Sequence, residues 1–588
     1  MKNRIVTIFV SVLLMLVSAC TPGSDKDPND GTSGGTTETK PNQTITTQLD
    51  VNKTINQNYQ DFTSKINEGR YIDALSNYVY ISDKNKNGKY NDVITLMNNT
   101  LSEQYSILSE IMFESKLSQN DSKRLNDFKV FANHINGIIE RATDGTMQSY
   151  LDGDLDYESA YNYLQNTKII LPDYKQRDQY LTELPAINQS KTVFEQGLAL
   201  MENTQYRQAL DIFKSIGQNQ YYYEKAVQKI IECDGLILSE YVDEINALII
   251  SYNYDKAIDK ADEYLIKYPG DVQLTKLKED SQKSLSELYA YTGPLYHIFF
   301  HSLIVYPEKA FDGDFMQQGY NYWMTTVDEC KKILEQLYER NYVLYDIRKL
   351  ITTNSDGSVT KNKIMVPKGK KPIILSIDDV SYYDYMKNDG FAQKLIIDEN
   401  GKLANYTIAP DGTAVISREH DVMPLVDKFV EEHPDFSFQG AKGVLALTGY
   451  EGVLGYRTNN PDEKDPDEIK KLTAQAKEVA DAMKANGWLF ACHSYTHANT
   501  FSDGVFALDY LKYDTERWKK EVVPIIGETN IYITPFGYHL KPGSESYNYA
   551  ISEGFNILCA VGGMPYVSYT DKAVVMDRQN LERFYDEL

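Results

Sequence analysis

The sequence predicts a chain of two folded parts, an all-helical first half and a second half of the α/β class. In residues 52–288, glycine and proline are sparse and apolar residues recur at spacings of three and four, which is typical of amphipathic helices. Gly293 and Pro294 interrupt that pattern, and short apolar runs then alternate with helical stretches over the rest of the chain. Such alternation predicts a parallel sheet, either open or closed into a barrel.

The composition is that of a folded, acidic protein. Hydrophobic residues make up 42% and charged residues 24% of the 588 residues, a balance that excludes global disorder and collagen-like chains. Five cysteines are too few for a disulfide framework. The 84 acidic and 60 basic residues give a formal charge of −24, and so acidic a surface repels phosphate backbones. We therefore expect no nucleic-acid partner.

The chain begins with the pattern of a secretory signal. Lys2 and Arg4 precede an apolar run over residues 5–17, which has signal-peptide length and is too short to span a bilayer comfortably. No later run reaches the length of a membrane-spanning helix. We expect a signal peptide over residues 1–19 and a protein exported from the cytoplasm.

The residues around the cleavage point predict a lipid anchor. Residues 17–20, Val-Ser-Ala-Cys, resemble the lipobox of bacterial lipoproteins, in which the cysteine is acylated and becomes the first residue. The resemblance implies lipid attachment at Cys20 and a protein held outside the cell membrane by two acyl chains. Residues 20–50 are rich in small polar residues and predict a flexible tether. The alternative is an ordinary signal peptide in which Cys20 plays no part.

Residues 51–289 form the predicted helical domain and carry a weak internal repeat. A tyrosine is followed three positions later by an alanine and four positions after that by an apolar residue, with the tyrosines at Tyr71, Tyr157, Tyr206 and Tyr254. The pattern resembles the second helix of tetratricopeptide repeats, and a generic helical bundle with alanine at its crossings is the alternative. We expect this part to be a spacer or an arm that binds a protein partner or a glycan.

Each predicted element of the second half follows from its own run of residues. Strands are predicted where apolar residues run together, and helices where they repeat every three or four positions behind a capping residue. The predicted strands cover residues 298–305, 342–347, 372–377, 443–447, 488–491 and 531–533. The predicted helices cover residues 326–339, 472–486, 508–522 and 544–553.

Polar residues follow three of these strands at their carboxyl ends. Asp378 and Asp379 end one strand, His493 and His497 follow a second, and a turn around Phe536 follows a third. The catalytic groups of parallel α/β folds lie at that end of the strands. The sequence therefore predicts that these side chains lie close together in one site.

Two histidines four residues apart, with carboxylates at a neighbouring strand end, predict a metal site. On a helical turn, His493 and His497 present both imidazoles to one side, and with one aspartate they leave open positions on Zn²⁺ or a similar ion. No glutamate follows His493, so the HExxH metalloprotease site is excluded. Of the adjacent aspartates, one can bind the metal and one can act on water as a base. The alternative is a pair of core histidines with satisfied hydrogen bonds.

These motifs resemble those of the polysaccharide deacetylase (NodB-homology) domain of carbohydrate esterase family four. The first family motif, TFDDG, stands here as Ser-Ile-Asp-Asp-Val at residues 376–380. The second, H-S/T-x-x-H, stands at residues 493–497, and the third, R-x-P-Y, aligns with residues 533–536. The resemblance covers about residues 294–584, and it implies a distorted (β/α) barrel in a catalytic domain over residues 290–588.

The resemblance also implies a role for each site residue. Asp379, His493 and His497 hold a divalent metal ion, with zinc as the expected one, and Asp378 is the base that takes a proton from the attacking water. The backbone N–H of Phe536 stabilises the oxyanion that forms at the acetyl group of an N-acetylated sugar. Acetate leaves and a free amine remains on the glycan. Because the anchor holds the protein beside the cell envelope, peptidoglycan or another aminosugar polymer is the expected substrate.

The chain departs from the family motifs at two positions that matter for turnover. Ile533 replaces the arginine that orients the base, and the final strand carries Arg578 where the family has its general-acid histidine. Arg578 resembles the residue that some family branches carry there, and His539 is the other candidate proton donor. A second hypothesis is therefore an inactive, metal-holding domain that binds glycans. A third, a solute-binding lipoprotein, leaves His493 and His497 without a role.

Overall fold

The first part of the protein is all-helical, as the sequence predicts. The computed structural model describes residues 53–459, 465–498 and 507–580, so the predicted signal peptide, Cys20 and the tether lie outside the described residues. The helices of this part are α1 (Lys53–Asn67), α2 (Tyr71–Lys84), α3 (Asn91–Ile111), α4 (Gln119–Phe128), α5 (Asn136–Asp152), α6 (Tyr157–Ile170), α7 (Lys175–Glu202), α8 (Tyr206–Lys214), α9 (Tyr223–Ile250), α10 (Tyr254–Lys267) and α11 (Val272–Ser286).

The repeated Tyr/Ala pattern marks equivalent places in this helical part. Its four tyrosines are the first residues of α2, α6, α8 and α10, and each of these helices follows a short turn after the preceding helix. The alanine of each copy is fully buried (Ala74, Ala160, Ala209 and Ala257). A small residue one turn into the second helix of a pair allows the two helices to approach closely, which explains why alanine recurs there. None of the helices in the described ranges is long and apolar enough to cross a membrane.

The chain divides into two compact units, one that ends at Ile237 and one that begins at Leu238. The division falls within α9, so the end of α9, α10 and α11 belong to the same unit as the second half of the chain. Inside that unit, the Ser251 carbonyl accepts the N–H of Gln439 at 2.7 Å. The domain limits given by the sequence, 51–289 and 290–588, stay predictions.

Seven parallel strands of the second unit close into a barrel, which confirms the α/β class and decides between an open sheet and a barrel. The strands are β1 (Tyr296–Phe300), β2 (Lys371–Asp378), β3 (Val444–Leu447), β4 (Leu489–Cys492), β5 (Ile531–Ile533), β6 (Ile557–Val561) and β7 (Val574–Asn580). Each pairs in parallel with the next, β7 pairs with β1, and β1 pairs with β2. All carboxyl ends therefore meet at one rim of the barrel.

Helices and short strands surround this barrel. The helices are α12 (Pro307–Ala310), α13 (Gln317–Trp323), α14 (Val327–Glu339), α15 (Val422–Glu432), α16 (Pro466–Ala485), α17 (Leu508–Glu521), α18 (Val523–Ile526) and α19 (Glu545–Ser552). A separate three-stranded antiparallel sheet contains Ala392–Ile397, Leu403–Ile408 and Ala414–Ser417. Shorter pairings join Tyr289–Ala290 to Met365–Val366, Ile351–Thr353 to Val359–Lys361, Val567–Tyr569 to β7, and Tyr342–Leu344 to β2.

Two predicted strands are shorter than the sequence suggested. The strand predicted over residues 298–305 ends at Phe300, because the N–H groups of Val305 and Tyr306 bond to the carbonyl of Gly390 outside the barrel. The strand predicted over residues 342–347 ends at Leu344 and is followed by a 3₁₀ turn over Ile347–Leu350. In both places the apolar run in the sequence extends beyond the residues that pair as a strand.

Alternation along the strands decides which side chains face the barrel interior. One buried cluster contains alternate residues of several strands (Ile374, Val444, Ala446, Ala491, Ile531, Ile533, Ile557, Cys559, Val574 and Met576). A second cluster holds the intervening residues together with apolar residues of α14, α15, α16 and α17. Because side chains alternate with a period of two, Asp378 continues the face of Ile374, and Arg578 continues the face of Met576. Both charged groups therefore lie on the inner face, at the carboxyl rim.

Candidate functional site

Asp378 and Asp379, at the end of β2, differ in backbone conformation and in surroundings. Asp378 is the last strand residue and is 3% exposed, within the barrel rim. Asp379 has a left-handed backbone, φ +61°, and its N–H donates to the Ala446 carbonyl at 3.1 Å. The Tyr383 hydroxyl donates to Asp379 Oδ1 at 2.7 Å. The strained turn thus separates two adjacent carboxylates and gives each its own surroundings.

His493 follows β4 and is oriented by the backbone of β5. Its Nδ1 lies 2.8 Å from the Ile533 carbonyl, and because a carbonyl only accepts, Nδ1 carries the proton. The unprotonated Nε2 lies 4.0 Å from Asp378 Oδ2 and 4.0 Å from Asp379 Oδ1. Burial lowers the pKa of His493 although Asp378 and Asp379 oppose that shift, so the imidazole is kept neutral, as a metal ligand must be.

The segment from His493 to His497 is a loop, and the helical turn predicted for it is wrong. Ser494 and His497 have left-handed backbones, with φ of +59° and +46°. The side chain of Asp514 on α17 accepts the N–H groups of residues 495 and 496 at 2.5 and 2.9 Å. Ser494 Oγ accepts the N–H of His497 at 2.9 Å. Side-chain oxygens thus replace the carbonyl acceptors of a helix, and the loop still brings His497 back to the barrel rim.

Asp379, His493 and His497 form a group that can hold a metal ion. One ligand atom from each lies within 4.8 Å of the other two. His497 Nε2 is 3.9 Å from Asp379 Oδ2, too long for a hydrogen bond and suited to two ligands that share one ion. The donor set of two imidazole nitrogens and one carboxylate fits zinc or a similar divalent cation with positions left open. Metal ligands are usually oriented by hydrogen bonds to groups around them. Here the Ile533 carbonyl orients His493, and the Tyr383 hydroxyl orients Asp379.

Arg578 on β7 supplies a positive charge next to Asp378. The motif resemblance places an arginine at position 533 for this purpose, where the chain has Ile533. The Arg578 guanidinium donates to Asp378 Oδ1 at 2.6 Å, and both side chains are buried. Burial alone raises the pKa of Asp378, but the charge of Arg578 and its hydrogen bond outweigh that effect and hold the pKa below its usual range. Asp378 is therefore ionised, with Oδ1 bound to Arg578 and Oδ2 turned towards His493.

Behind Arg578 lies a buried polar chain that the sequence alone did not reveal. Arg578 donates to Ser376 Oγ at 3.3 Å, and Ser376 Oγ lies 3.0 Å from Nε2 of His297. The guanidinium also lies over the ring of Phe299, 4.5 Å from its centroid. These contacts fix the position of Arg578 on the inner face of the barrel.

The turn after β5 presents Phe536 beside the metal group. Phe536 has a left-handed backbone, φ +56°, in a 3₁₀ turn over Pro535–Gly537. Gly537 is required there, since a Cβ would lie 2.6 Å from that of Val561. The Phe536 ring is 4.4 Å from the ring of His497, and the side chain is 48% exposed. The turn after β5 thus lies beside His497, and the role of the Phe536 N–H stays a prediction.

His539, the alternative proton donor, lies opposite Asp577 of β7. Its Nδ1 is 3.5 Å from Asp577 Oδ1, and its side chain is half exposed. Burial raises the pKa of Asp577 although His539 opposes that shift. The structure thus places His539 in a pair with Asp577, and its role in proton transfer stays a prediction.

His301 also lies at the carboxyl rim, and the sequence predicted no role for it. It directly follows β1, and its Nδ1 lies 2.9 Å from the Trp323 carbonyl. Its place after a barrel strand was the available signal, because β1 ends at the same rim as β2 and β4.

Comparisons with known proteins give no family for this chain. No family model matches it, and neither a curated protein nor a solved structure matches it. What can be said about function therefore rests on the barrel, the possible ligand group and the residues around it.

Proposed function

We propose that the barrel domain is a metal-dependent N-deacetylase of N-acetylated polysaccharides. The observation that carries this proposal is that two features lie together at one rim of the barrel. One is a three-residue ligand group, and the other is a buried, ionised Asp378 whose Oδ2 lies 4.0 Å from His493. Hydrolysis of an amide needs both an electrophilic centre and a base for water. A metal ion in the ligand group would be the electrophilic centre, and Asp378 is the base. The motif resemblance supplies the substrate class.

Each site residue has a separate role in the proposed attack of water on the acetyl group. A divalent ion held by Asp379, His493 and His497 would polarise the acetyl carbonyl and lower the pKa of a water. Asp378 takes the proton of the attacking water at Oδ2, while Arg578 holds Oδ1 at 2.6 Å and fixes the carboxylate. The water oxygen bonds to the acetyl carbon, and the N–H of Phe536 donates to the developing oxyanion.

The second half of the reaction breaks the C–N bond. The amine nitrogen needs a proton as it leaves, and either the proton held by Asp378 or one supplied by His539 completes the balance. The products are acetate and a free amine on the sugar. The pairing of His539 with Asp577 at 3.5 Å supports it as the second donor.

Acetate release tests the proposal directly. The purified protein, loaded with Zn²⁺, is incubated with N-acetylglucosamine oligomers and with peptidoglycan, and acetate is measured enzymatically. We expect release by the wild type and a loss of at least about a hundredfold in Asp378→Asn, which removes the base. Asp411→Asn, at an exposed loop position, is the matched control and keeps full activity. The absence of acetate with one ion bound per chain contradicts the proposal.

A metal-holding, inactive glycan-binding domain is the second candidate. Ile533 and Arg578 at the positions of the family's arginine and histidine favour it. It predicts that oligomers bind to the zinc-loaded protein without release of acetate.

We also propose that the protein is a lipoprotein at the bacterial cell envelope, anchored through Cys20, with the helical region as an arm for a protein partner. The lipobox-like residues 17–20 and the repeated Tyr/Ala pattern support this. Cys20→Ser is expected to move the protein from the membrane fraction to the soluble fraction, and equal membrane retention would contradict the anchor.

A further inference from the structure

Three exposed aromatic side chains surround the candidate site. Trp323 is 59% exposed, Phe536 is 48% exposed and Tyr385 is 45% exposed. Large aromatic side chains are usually buried, because they contribute much of the apolar area of a core. Exposed rings at a site therefore need an explanation other than stability.

One of the rings contacts a proposed metal ligand directly, and a second contacts a residue that is bonded to another ligand. The ring of Phe536 lies 4.4 Å from that of His497. The ring of Tyr385 stacks on Tyr383 at 5.6 Å with an interplanar angle of 22°, and the Tyr383 hydroxyl donates to Asp379. Tyr385 and Phe536 thus approach the ligand group from two different strand ends, those of β2 and β5.

Trp323 is joined to the site through His301. The Trp323 carbonyl lies 2.9 Å from His301 Nδ1, and His301 belongs to the rim that carries the two aspartates. The short helix that ends at Trp323 is held in place by Tyr320, whose hydroxyl donates to Asp389 at 2.7 Å and whose ring is 5.0 Å from Phe391. Trp323 is therefore exposed on an ordered segment at a third strand end.

The chemistry of these rings selects the kind of ligand. Aromatic faces pack well against the C–H faces of pyranose rings, and they make no demand for charge on the ligand. Tyr385 stacks on Tyr383, whose hydroxyl bonds to the Asp379 carboxylate, and the whole chain carries −24, which disfavours an anionic polymer. An uncharged sugar with N-acetyl groups offers C–H faces for stacking and carries no negative charge.

We propose that Trp323, Tyr385 and Phe536 are stacking platforms for successive pyranose rings of an uncharged N-acetylhexosamine oligosaccharide. The inference rests on the proposed deacetylase function and goes further, because platforms at three strand ends accommodate several sugars. The site then recognises a chain of sugars, and a single sugar binds weakly.

Trp323 itself provides the measurement. The chain has three tryptophans, and Trp488 and Trp518 are 1% and 0% exposed, so quenching by acrylamide reports mainly on Trp323. The probes are N-acetylglucosamine, its β-1,4-linked tetramer and hexamer, and a hyaluronan hexamer, all added to the Asp378→Asn protein to prevent turnover. We expect the N-acetylglucosamine hexamer to protect Trp323, to bind at least tenfold more tightly than the monomer, and to bind at least tenfold more tightly than hyaluronan.

Substitutions then test each platform by calorimetry. Trp323→Ala and Tyr385→Ala are each expected to weaken hexamer binding at least fivefold and to change monomer binding less. Tyr221→Ala removes an aromatic side chain of similar exposure, 51%, from the helical part and is expected to change neither affinity.

The outcomes separate this inference from the proposed function. If the hexamer binds and protects Trp323 while the wild type releases no acetate, the platforms are confirmed and the deacetylase proposal fails. If acetate is released while Trp323 stays fully accessible and both alanine variants bind like the parent, the platforms are refuted. Failure of the hexamer to bind refutes them as well.

Discussion

Arg578 shows how one residue sets the state of its neighbour across the barrel. It is buried, and it contacts Asp378, which lies 200 positions earlier in the chain. Strand alternation predicts that both side chains face inward, but which strands become neighbours depends on barrel closure, so the sequence alone could not pair them. The absence of an arginine at Ile533 pointed to a poorly tuned base, whereas the structure shows an arginine supplied from β7.

The Arg578–Asp378 pair makes a prediction about stability. Arg578→Met leaves Asp378 as an uncompensated buried charge and is expected to lower the free energy of unfolding by roughly 3–5 kcal/mol. The double variant Asp378→Asn/Arg578→Met is expected to recover part of that loss, because no charge remains unpaired. Denaturant titrations measure both. Arg348→Met, which removes an arginine whose side chain is 56% exposed, is the control and should cost less than about 1 kcal/mol. A double variant less stable than Arg578→Met contradicts the pairing.

Asp421 makes a prediction about pH. Burial raises its pKa to about 6, although it accepts hydrogen bonds from the Tyr382 hydroxyl and from the N–H groups of Leu303 and Val422. The unfolded chain titrates near 3.9, so between about pH 4 and 6 the folded state binds more protons and loses stability as the pH rises. Full ionisation costs roughly 3 kcal/mol.

Asp421→Asn removes this titration. The difference in unfolding free energy between the variant and the wild type is expected to shift in favour of the variant as the pH rises from 4 to 7. Urea titrations at several pH values measure it. A difference that stays constant over this range shows that Asp421 keeps an ordinary pKa.

At the scale of elements, the loop between His493 and His497 has a backbone conformation that the local sequence pattern does not predict, because contacts with another helix determine it. The spacing of four suggested a helical turn, and the ligand grouping was correctly anticipated although the local conformation was not. Asp514, the residue that holds the loop, lies in α17 and carries no local signal for that task. A side-chain acceptor from another helix is visible only after folding.

Removal of Asp514 is therefore expected to weaken the ion site without removing a ligand. Asp514→Ala should lower zinc affinity by about 10- to 100-fold, as loss of a supporting group around a metal site does. Competition with a chromophoric chelator measures the affinity. Asp509→Ala, at an exposed position of the same helix, is the matched control. Equal zinc affinity in the Asp514 and Asp509 variants refutes the role of Asp514.

The helix pairs of the first unit give a second prediction at this scale. A Cβ at Gly197 of α7 would lie 2.4 Å from Cε1 of Phe213 on α8, so Gly197→Ala is expected to destabilise this unit by about 1–3 kcal/mol. At Gly145 of α5 nothing lies within 4 Å of that position, and Gly145→Ala should be neutral or stabilise by up to about 1 kcal/mol. Thermal unfolding followed by circular dichroism compares the two, and equal shifts contradict close helix packing at Gly197.

At the scale of the whole molecule, the order of elements was predictable and the closure was not. Gly293 and Pro294 correctly marked the change from helices to an α/β fold, and residues that the strand-end rule selected after β2 and β4 lie together as a possible ligand group. The sequence left an open sheet and a barrel as alternatives, because pairing of β7 with β1 joins segments about 280 positions apart. The same closure brings Arg578 to Asp378 and His301 to the rim.

The proposed function requires that Asp379, His493 and His497 jointly bind one divalent ion. Equilibrium dialysis with Zn²⁺, followed by elemental analysis, measures it on the wild type, on Asp379→Ala, His493→Ala and His497→Ala, and on the control His134→Gln in the helical part. We expect one tightly bound zinc per chain in the wild type and the control, and at least about 100-fold weaker binding in each of the three variants. Undiminished binding in all three, or no binding in the wild type, would contradict the proposal.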